Sequence, residues 1–516
     1  MSNDSEKADI NVFHDSGSGK ASPTTGQIHP DDFGFSEKEQ KAIIRHIDRR
    51  LVVTVGALYC VSLMDRTNLS AANIAGMKED LNLVNNRYVS FYTPCNFYRF
   101  LKILDEEQEG RSIVTLVFFI TYIIFQPPST IIIRKLGPRV HLSSITLLWG
   151  SVMIGMGFVN KWGELAALRV VLGILEAGFF PSCVYLLSTW YTRWEVGKRY
   201  SVFYILGCVA SAFAGILAYG LMQMKGLADM NGWRWIFVIE GIITCVLAIA
   251  SYWLLVDFPD SHRKTWSFLD QKACDWVVAR VHMDRGDSHL SKFRWSKFLR
   301  AALDIKIWGY AMIFFNTTTI SYALAYFMPT ILFYNMKFDL AASQCLVAPP
   351  YAFAGIIMYL AGWAGDKWHI RGPIIVFNMV LCVIGMCIMG FHSNPNVRYF
   401  GIFLCTAGAN ANIPTTMAYQ ANNIRGQWKR AFCSATLVGF GGFGGIAGST
   451  IFRDQDAPFY LPGLYTCIGT ACLSIIIVGA LSASFRIQNR RADAGTHTLE
   501  DSEDESGNSS DFRYTY

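Results

Sequence analysis

The feature that most constrains this chain is a run of about twenty apolar residues that recurs along it, each long enough as a helix to cross the ~30 Å hydrocarbon core of a bilayer. Six such runs lie near residues 51–77, 112–136, 140–158, 165–190, 200–224 and 233–256. Six more lie near 305–333, 341–364, 373–391, 399–420, 431–451 and 461–485. A chain in lipid must satisfy its own backbone, and runs of this length without period-two alternation do so as helices. The expectation is an all-α membrane protein with six spans on each side of a polar stretch. Composition agrees: 16% of residues are charged, against about 25% in soluble chains. The net charge of +6 is no argument for nucleic acid. The 13 cysteines show no metal-ligand or disulfide spacing and lie mostly inside the apolar runs, where they serve as small buried side chains.

The division expected along the chain is a polar, disordered cytoplasmic tail (1–44), a first six-helix bundle (45–256), a charged cytoplasmic loop (257–304), a second bundle (305–487) and a cytoplasmic C-terminal tail (488–516). No signal peptide core is visible. Arg134, Lys135, Arg139, Arg193, Lys198, Arg199, Lys367, Arg371, Arg425, Lys429 and Arg430 fall in turns on the side of the central loop. The opposite turns carry single cations: Lys161, Lys225, Lys337, Arg398 and Arg453. The positive-inside rule then puts both termini in the cytoplasm.

Charges inside the runs are the candidate site. Arg169 and Glu176 are two helical turns apart, on nearly the same face and roughly 10 Å apart along the axis. Gly173 and Gly178 between and beside them allow a close helix neighbour. Asp65-Arg66 interrupts the first run. A charge at bilayer depth costs roughly 2.5–3.5 kcal/mol and therefore faces a bundle interior or a wet cavity. The alternative is an ion pair that only locks two helices.

Gly362 through Asp366, Lys367 and Arg371 has the form Gly-x-x-x-Asp-Lys followed by a basic residue. Arg134-Lys135-Leu136-Gly137-Pro138-Arg139 holds the equivalent place in the first half, without the Asp. This echo, with the six-loop-six layout, resembles the major facilitator superfamily. Asp65-Arg66-Thr67-Asn68, Tyr122 with Gln126-Pro127, and Arg169-x-x-x-Gly173-x-x-Glu176 with Pro181 resemble its anion:cation symporter family. Leu187 to Glu195 with Gly197-Lys198-Arg199, and Gly232 to Gly241, are similar to the fungal allantoate/nicotinate permeases. The resemblance covers about 49–486. It implies two pseudo-symmetric six-helix bundles around a central cavity, alternating access, and import of a small organic anion with protons, across what is most often the plasma membrane. By carry-over, Asp65 and Glu176 are the proton-coupling carboxylates, Arg66 and Arg169 the cations that meet the substrate, and Tyr122 a cavity hydroxyl. Gly362, Asp366, Lys367 and Arg371 form the gating loop motif. An apolar setting favours a protonated carboxyl and an adjacent guanidinium the ionised one, so a substrate anion that draws the arginine away would let the carboxylate take a proton.

Tyr322 and Tyr326, four apart on one helix face, are further substrate-binding candidates, as is Asn412, although amides also bond between helices without a ligand. Glu240 is expected to pair with a loop cation such as Arg234. The glycines at 439, 441, 442, 444, 445 and 448 read as close helix packing, since neither a preceding strand nor a Gly-Lys-Ser/Thr end marks a phosphate loop. Residues 89–110 exceed the family pattern. Val89-Ser90 is what a GTAAGT splice donor encodes in frame, so the segment is either a retained intron or a genuine loop insertion. The function expected is transport of a nicotinate-, pantothenate- or allantoate-like carboxylate. A proton-independent facilitator or exchanger, or a nutrient sensor of the same fold, are the other readings. No enzyme constellation and no cofactor or metal motif is present; the partners expected are the anion, protons and the bilayer. Oligomeric state is not legible.

Overall fold

A computed structural model describes residues 30–77, 80–81, 110–192, 194–261, 268–285, 295–332, 336, 338–425, 427–452, 460–495, 499 and 512–516. Its helices are α1 (Glu37–Ile47), α2 (Val53–Ala72), α3 (Gly110–Leu136), α4 (Pro138–Met156), α5 (Trp162–Glu176), α6 (Phe179–Trp190), α7 (Val196–Met222), α8 (Gly232–Leu254), α9 (Gln271–Arg285), α10 (Trp295–Arg300), α11 (Ile305–Thr330), α12 (Leu340–Cys345), α13 (Ala348–Trp368), α14 (Gly372–Phe391), α15 (Pro395–Asn423), α16 (Gln427–Ile451) and α17 (Leu461–Asp493). Helix occupies all twelve expected stretches, and no strand occurs among the described residues.

Seven of the described helical stretches are long and apolar enough to span a membrane on composition alone. Others carry the polar interior. α2 holds Asp65 and Arg66, and α15 is buried from Gly401 through Asn423 on most of its faces, with amides and hydroxyls throughout. Such a helix sits inside the protein rather than against lipid, which is why its mean hydropathy falls short. The outward faces of α8, α14 and α17 are apolar, with Val246, Phe377 and Ile476 exposed; lipid is their natural solvent.

Local sequence explains several departures from a uniform set of rods. The stretch 162–190 is not one continuous helix. It breaks at Ala177-Gly178, because Pro181 cannot donate the bond that would reach back to residue 177. Glu176 therefore closes α5. α1 (Glu37–Ile47) begins inside the stretch expected as a disordered tail, 1–44. Ser36 and Glu39 form a reciprocal capping box that starts α1, which gives that polar stretch a defined helix start. At the other end, residues 512–516 return to the molecule. Tyr514 stacks on Phe485 at 4.6 Å. Asn489 receives the Tyr514 N–H at 3.0 Å, and Asn423 receives that of Thr515 at 2.8 Å. The Arg371 N–H donates to the Tyr516 carbonyl at 3.1 Å. We call the end that carries these contacts the terminal face.

The glycines of α16 divide between two neighbours. A Cβ on Gly444 would lie 2.7 Å from the Phe315 carbonyl, and one on Gly448 2.6 Å from that of Thr319, so this face admits the α11 backbone itself. Gly442 and Gly445 instead receive Ile123 and Phe119 of α3. Gly173 does the same for α3 on the other side: its Cβ would stand 2.6 Å from the Phe118 carbonyl. Residues 89–109, with most of the expected insertion, lie outside the described residues.

Candidate functional site

Asp65 and Arg66 are chain neighbours, so on a helix they point about 100° apart, and the structure uses this. Arg66 turns toward the interface between the two bundles. Its Nε donates to Glu176 Oε1 at 2.6 Å, Nη1 to the Tyr322 hydroxyl at 2.7 Å and Nη2 to the Tyr122 hydroxyl at 3.2 Å. Its guanidinium also lies 4.9 Å from the Tyr122 ring centre. Ser62, one turn earlier, donates to the same Glu176 oxygen at 2.6 Å. α2, α3, α5 and α11 thus meet on one guanidinium. The Tyr322 link crosses from the first bundle to the second.

Asp65 faces the other way, into the wall of the first bundle. One oxygen accepts from Trp149 Nε1 of α4 at 3.0 Å; the other has no hydrogen-bond partner among the described residues. Arg169 has Asp65, Glu176 and Tyr326 as its charged and phenolic neighbours. It is 3% exposed, yet neither Nε nor Nη2 reaches an acceptor among the described residues. The pair that forms is therefore Arg66–Glu176, between helices. Arg169 is left as a buried cation with open donors.

Tyr322 and Tyr326 stack at 6.0 Å with 18° between their planes. Both line a cavity of about 30 Å³ between the bundles, with Arg66, Tyr204, Ser321 and Asn410. That volume holds a water or two, not a ring acid, so a substrate needs the bundles to part. Asn412 does not join them. It accepts from Asn378 Nδ2 at 2.9 Å and donates to the Ile375 carbonyl at 3.2 Å, which ties α15 to α14. The expectation that it meets substrate is corrected. Two residues round the helix, Asn410 points into the cavity and accepts from Ser321 at 3.0 Å. The pairing of Glu240 with Arg234 is corrected as well. Arg234 donates to the Gly157 carbonyl and to Asn160, while Glu240 lies deep in the bundle beside Asn68 and Asp65.

At the terminal face, Asp366 accepts from Arg371 and, at 2.7 Å, from the Lys198 backbone N–H at the start of α7. A Cβ on Gly197 would stand 2.6 Å from both Asp366 Oδ1 and Arg371 Nη2. Gly362 meets Ser201 of the same helix. These contacts join the second bundle to the first and close the terminal face. Lys367 is the exception in the motif: its Nζ lies 4.7 Å from the Trp363 ring centre, on the outer side.

The residues missed from sequence are Ser62, Trp149 and the buried position of Glu240. Ser62 had a usable signal, since it lies four residues before Arg66. The others depend on which helices become neighbours.

A two-bundle, all-helical membrane protein with charge at its centre and a hydrogen-bonded contact between the bundles at one mouth is the architecture of a solute carrier. The Major Facilitator Superfamily profile matches residues 55–449, and the chain belongs to that family. It is 31% identical over 452 residues to the MFS-type transporter cnsO of Penicillium expansum, covering 86% of this chain and 83% of the relative. It is 26% identical to the high-affinity nicotinic acid transporter of Saccharomyces cerevisiae, covering 87% and 79%. In fold it resembles the proton:xylose symporter XylE, with a TM-score of 0.63 at 13% identity over 84% of this chain and 95% of the other. The human organic anion transporter MFSD10 gives 0.58 at 14% identity over 84% and 99%. The family and these relatives are transporters.

Proposed function

We propose that this chain imports a small organic anion, a nicotinate-, pantothenate- or allantoate-like carboxylate, together with protons, by alternating access at the plasma membrane, with both termini in the cytoplasm. The observation that carries the reading is Arg169. A buried guanidinium with free donors is costly unless something pairs with it, and a planar carboxylate is what its fork fits best. The nicotinic acid transporter among the relatives supports the same substrate class.

Arg66, Tyr122, Tyr322 and Tyr326 shape the cavity beside it. Glu176 is held by Arg66 and Ser62. A substrate anion between the bundles competes for Arg66, and a proton on Glu176 compensates the lost pair. Proton and anion then cross together. The contact of Asp366 with the Lys198 backbone N–H, with Arg371 beside it, holds the cytoplasmic mouth shut until both are bound.

The test is uptake of labelled nicotinate, pantothenate and allantoate in cells lacking their own carriers, at acid and neutral pH. The full chain and a version without residues 89–110 are compared. Accumulation of one acid, stronger at acid pH and abolished by Glu176→Gln, is the expected result. Accumulation that ignores pH would remove proton coupling; surface-expressed chains that move none of the three would remove the substrate class. Transport by the shortened version alone would mark 89–110 as a retained intron.

A further inference from the structure

Glu240 is left over from this scheme. It sits on α8, about 12 Å along the helix from Gly232, and is 1% exposed. Neither of its oxygens has a hydrogen-bond partner among the described residues. Asn68 of α2 is a polar side chain beside it, and Asp65, one turn back along α2, is close enough for the two charges to interact. Asp65 in turn has one oxygen on Trp149 and one without a hydrogen-bond partner among the described residues, and Arg169 and Glu176 as its other charged neighbours. Among the described residues no cation pairs with Glu240; Arg234 of the same helix is engaged elsewhere.

Two neighbouring buried carboxyls cannot both stay ionised cheaply, because each buried charge without a partner is costly and the two repel. A proton on one removes the repulsion and gives the other a donor. Of the two, Glu240 stands nearer the face opposite the terminal one. Asp80, exposed at the face opposite the terminal one, accepts from Trp233 Nε1 at the start of α8 at 2.6 Å. Glu240 and Asn68 lie between that mouth and Asp65.

We propose that Glu240 and Asp65 form one shared proton site in the wall of the first bundle, with Glu240 the member that exchanges its proton with the outer mouth. The proton leaves water for the Glu240 carboxylate, passes to Asp65, and Glu240 is ionised again. Arg169 then has a neutral Asp65 beside it and its donors remain open to the substrate carboxylate.

The first test needs no substrate. Membranes holding the wild-type chain are treated with N,N′-dicyclohexylcarbodiimide, which attacks protonated carboxyls in apolar surroundings, at acid and alkaline pH, and the peptides are weighed by mass spectrometry. Modification of Glu240 that falls several-fold at alkaline pH is expected. Glu240 unmodified at both, while other carboxyls of the chain react, would overturn the proposal. The second test rests on the symport reading. Glu240→Gln should lower proton-driven nicotinate accumulation at least tenfold while reducing nicotinate exchange far less, and Glu240→Asp should restore part of the loss. Wild-type accumulation in Glu240→Gln overturns the site. If the wild-type chain shows no proton-driven uptake of any acid, the symport reading falls and the labelling alone decides the proton site. If Glu240→Gln does not reach the membrane, the labelling again decides.

Discussion

Arg66 and Arg169 carry the same charge and are both buried, yet they predict opposite responses to removal. Arg66 satisfies Glu176 and two tyrosine hydroxyls. Arg66→Ala leaves a buried carboxylate with only Ser62, and breaking such a pair costs about 3–5 kcal/mol; a lower melting temperature in detergent should accompany the loss of uptake. Arg169 satisfies nothing that needs it. Arg169→Met should melt no earlier than wild type and still fail to transport. Arg169→Lys should keep the charge, lose the fork and raise KM roughly tenfold or more, the scale of one lost bidentate contact. A variant at 169 that melts early would show that the arginine is structural. Both arginines were legible in the sequence as charges at bilayer depth. Which of them pairs with Glu176 was not, because Arg169 and Glu176 share a helix face while the pair that forms crosses from α2 to α5.

At the scale of the element, the glycines of α16 and the cap of α11 make separable predictions. Gly448→Leu drives a side chain into the α11 backbone and should cost at least the roughly 1–3 kcal/mol of an overpacked core. Gly479→Ala on α17 meets nothing within 4 Å and should leave the melting temperature unchanged. Asp304 caps α11 through the Lys306 N–H at 3.1 Å and pairs with Lys429 at 2.7 Å. Burial alone would raise its carboxyl, but Lys306 and Lys429 hold it below the usual carboxylate range. Its stabilisation is therefore complete at neutral pH and is lost as pH falls below about 4. Asp304→Asn keeps the cap but loses the ion pairs with Lys306 and Lys429, so it should lower stability at neutral pH by at most about 1 kcal/mol, and the gap to wild type should narrow in acid. A gap that widens would reverse the sign. The positions of these helices were readable from apolar runs. Their polar members were harder: α15 looks unlike a membrane helix until it is seen surrounded by protein.

For the whole molecule, the state observed is the one closed at the terminal face. Asp366, Arg371 and the α7 start at Gly197-Lys198 make the contact between bundles. Asp366→Asn removes the charge from it. Cysteines placed across this seam, at Ile205 and Gly355, which face each other, should cross-link less readily in that variant, and uptake should fall about tenfold, equivalent to ~1.4 kcal/mol. Undiminished cross-linking would mean the seam is held by packing alone. Residues 512–516 brace α11, the turn before α14, α15 and α17 on the same face.

The sequence by itself determined that the chain crosses a membrane as helices, that it has two halves, and that Asp65, Arg66, Arg169 and Glu176 are buried charges. Length and apolarity are local properties, and burying a charge in lipid is costly enough to mark it without any knowledge of neighbours. Only the tertiary structure decided the partners: Arg66 with Glu176, Asp65 with Trp149, Asn410 rather than Asn412 in the cavity, and, among the described residues, none for Arg169 Nε and Nη2. Adjacent residues on a helix diverge by about 100°, so a shift of one or two positions changes the helix a side chain faces, and no local pattern records which helix stands there.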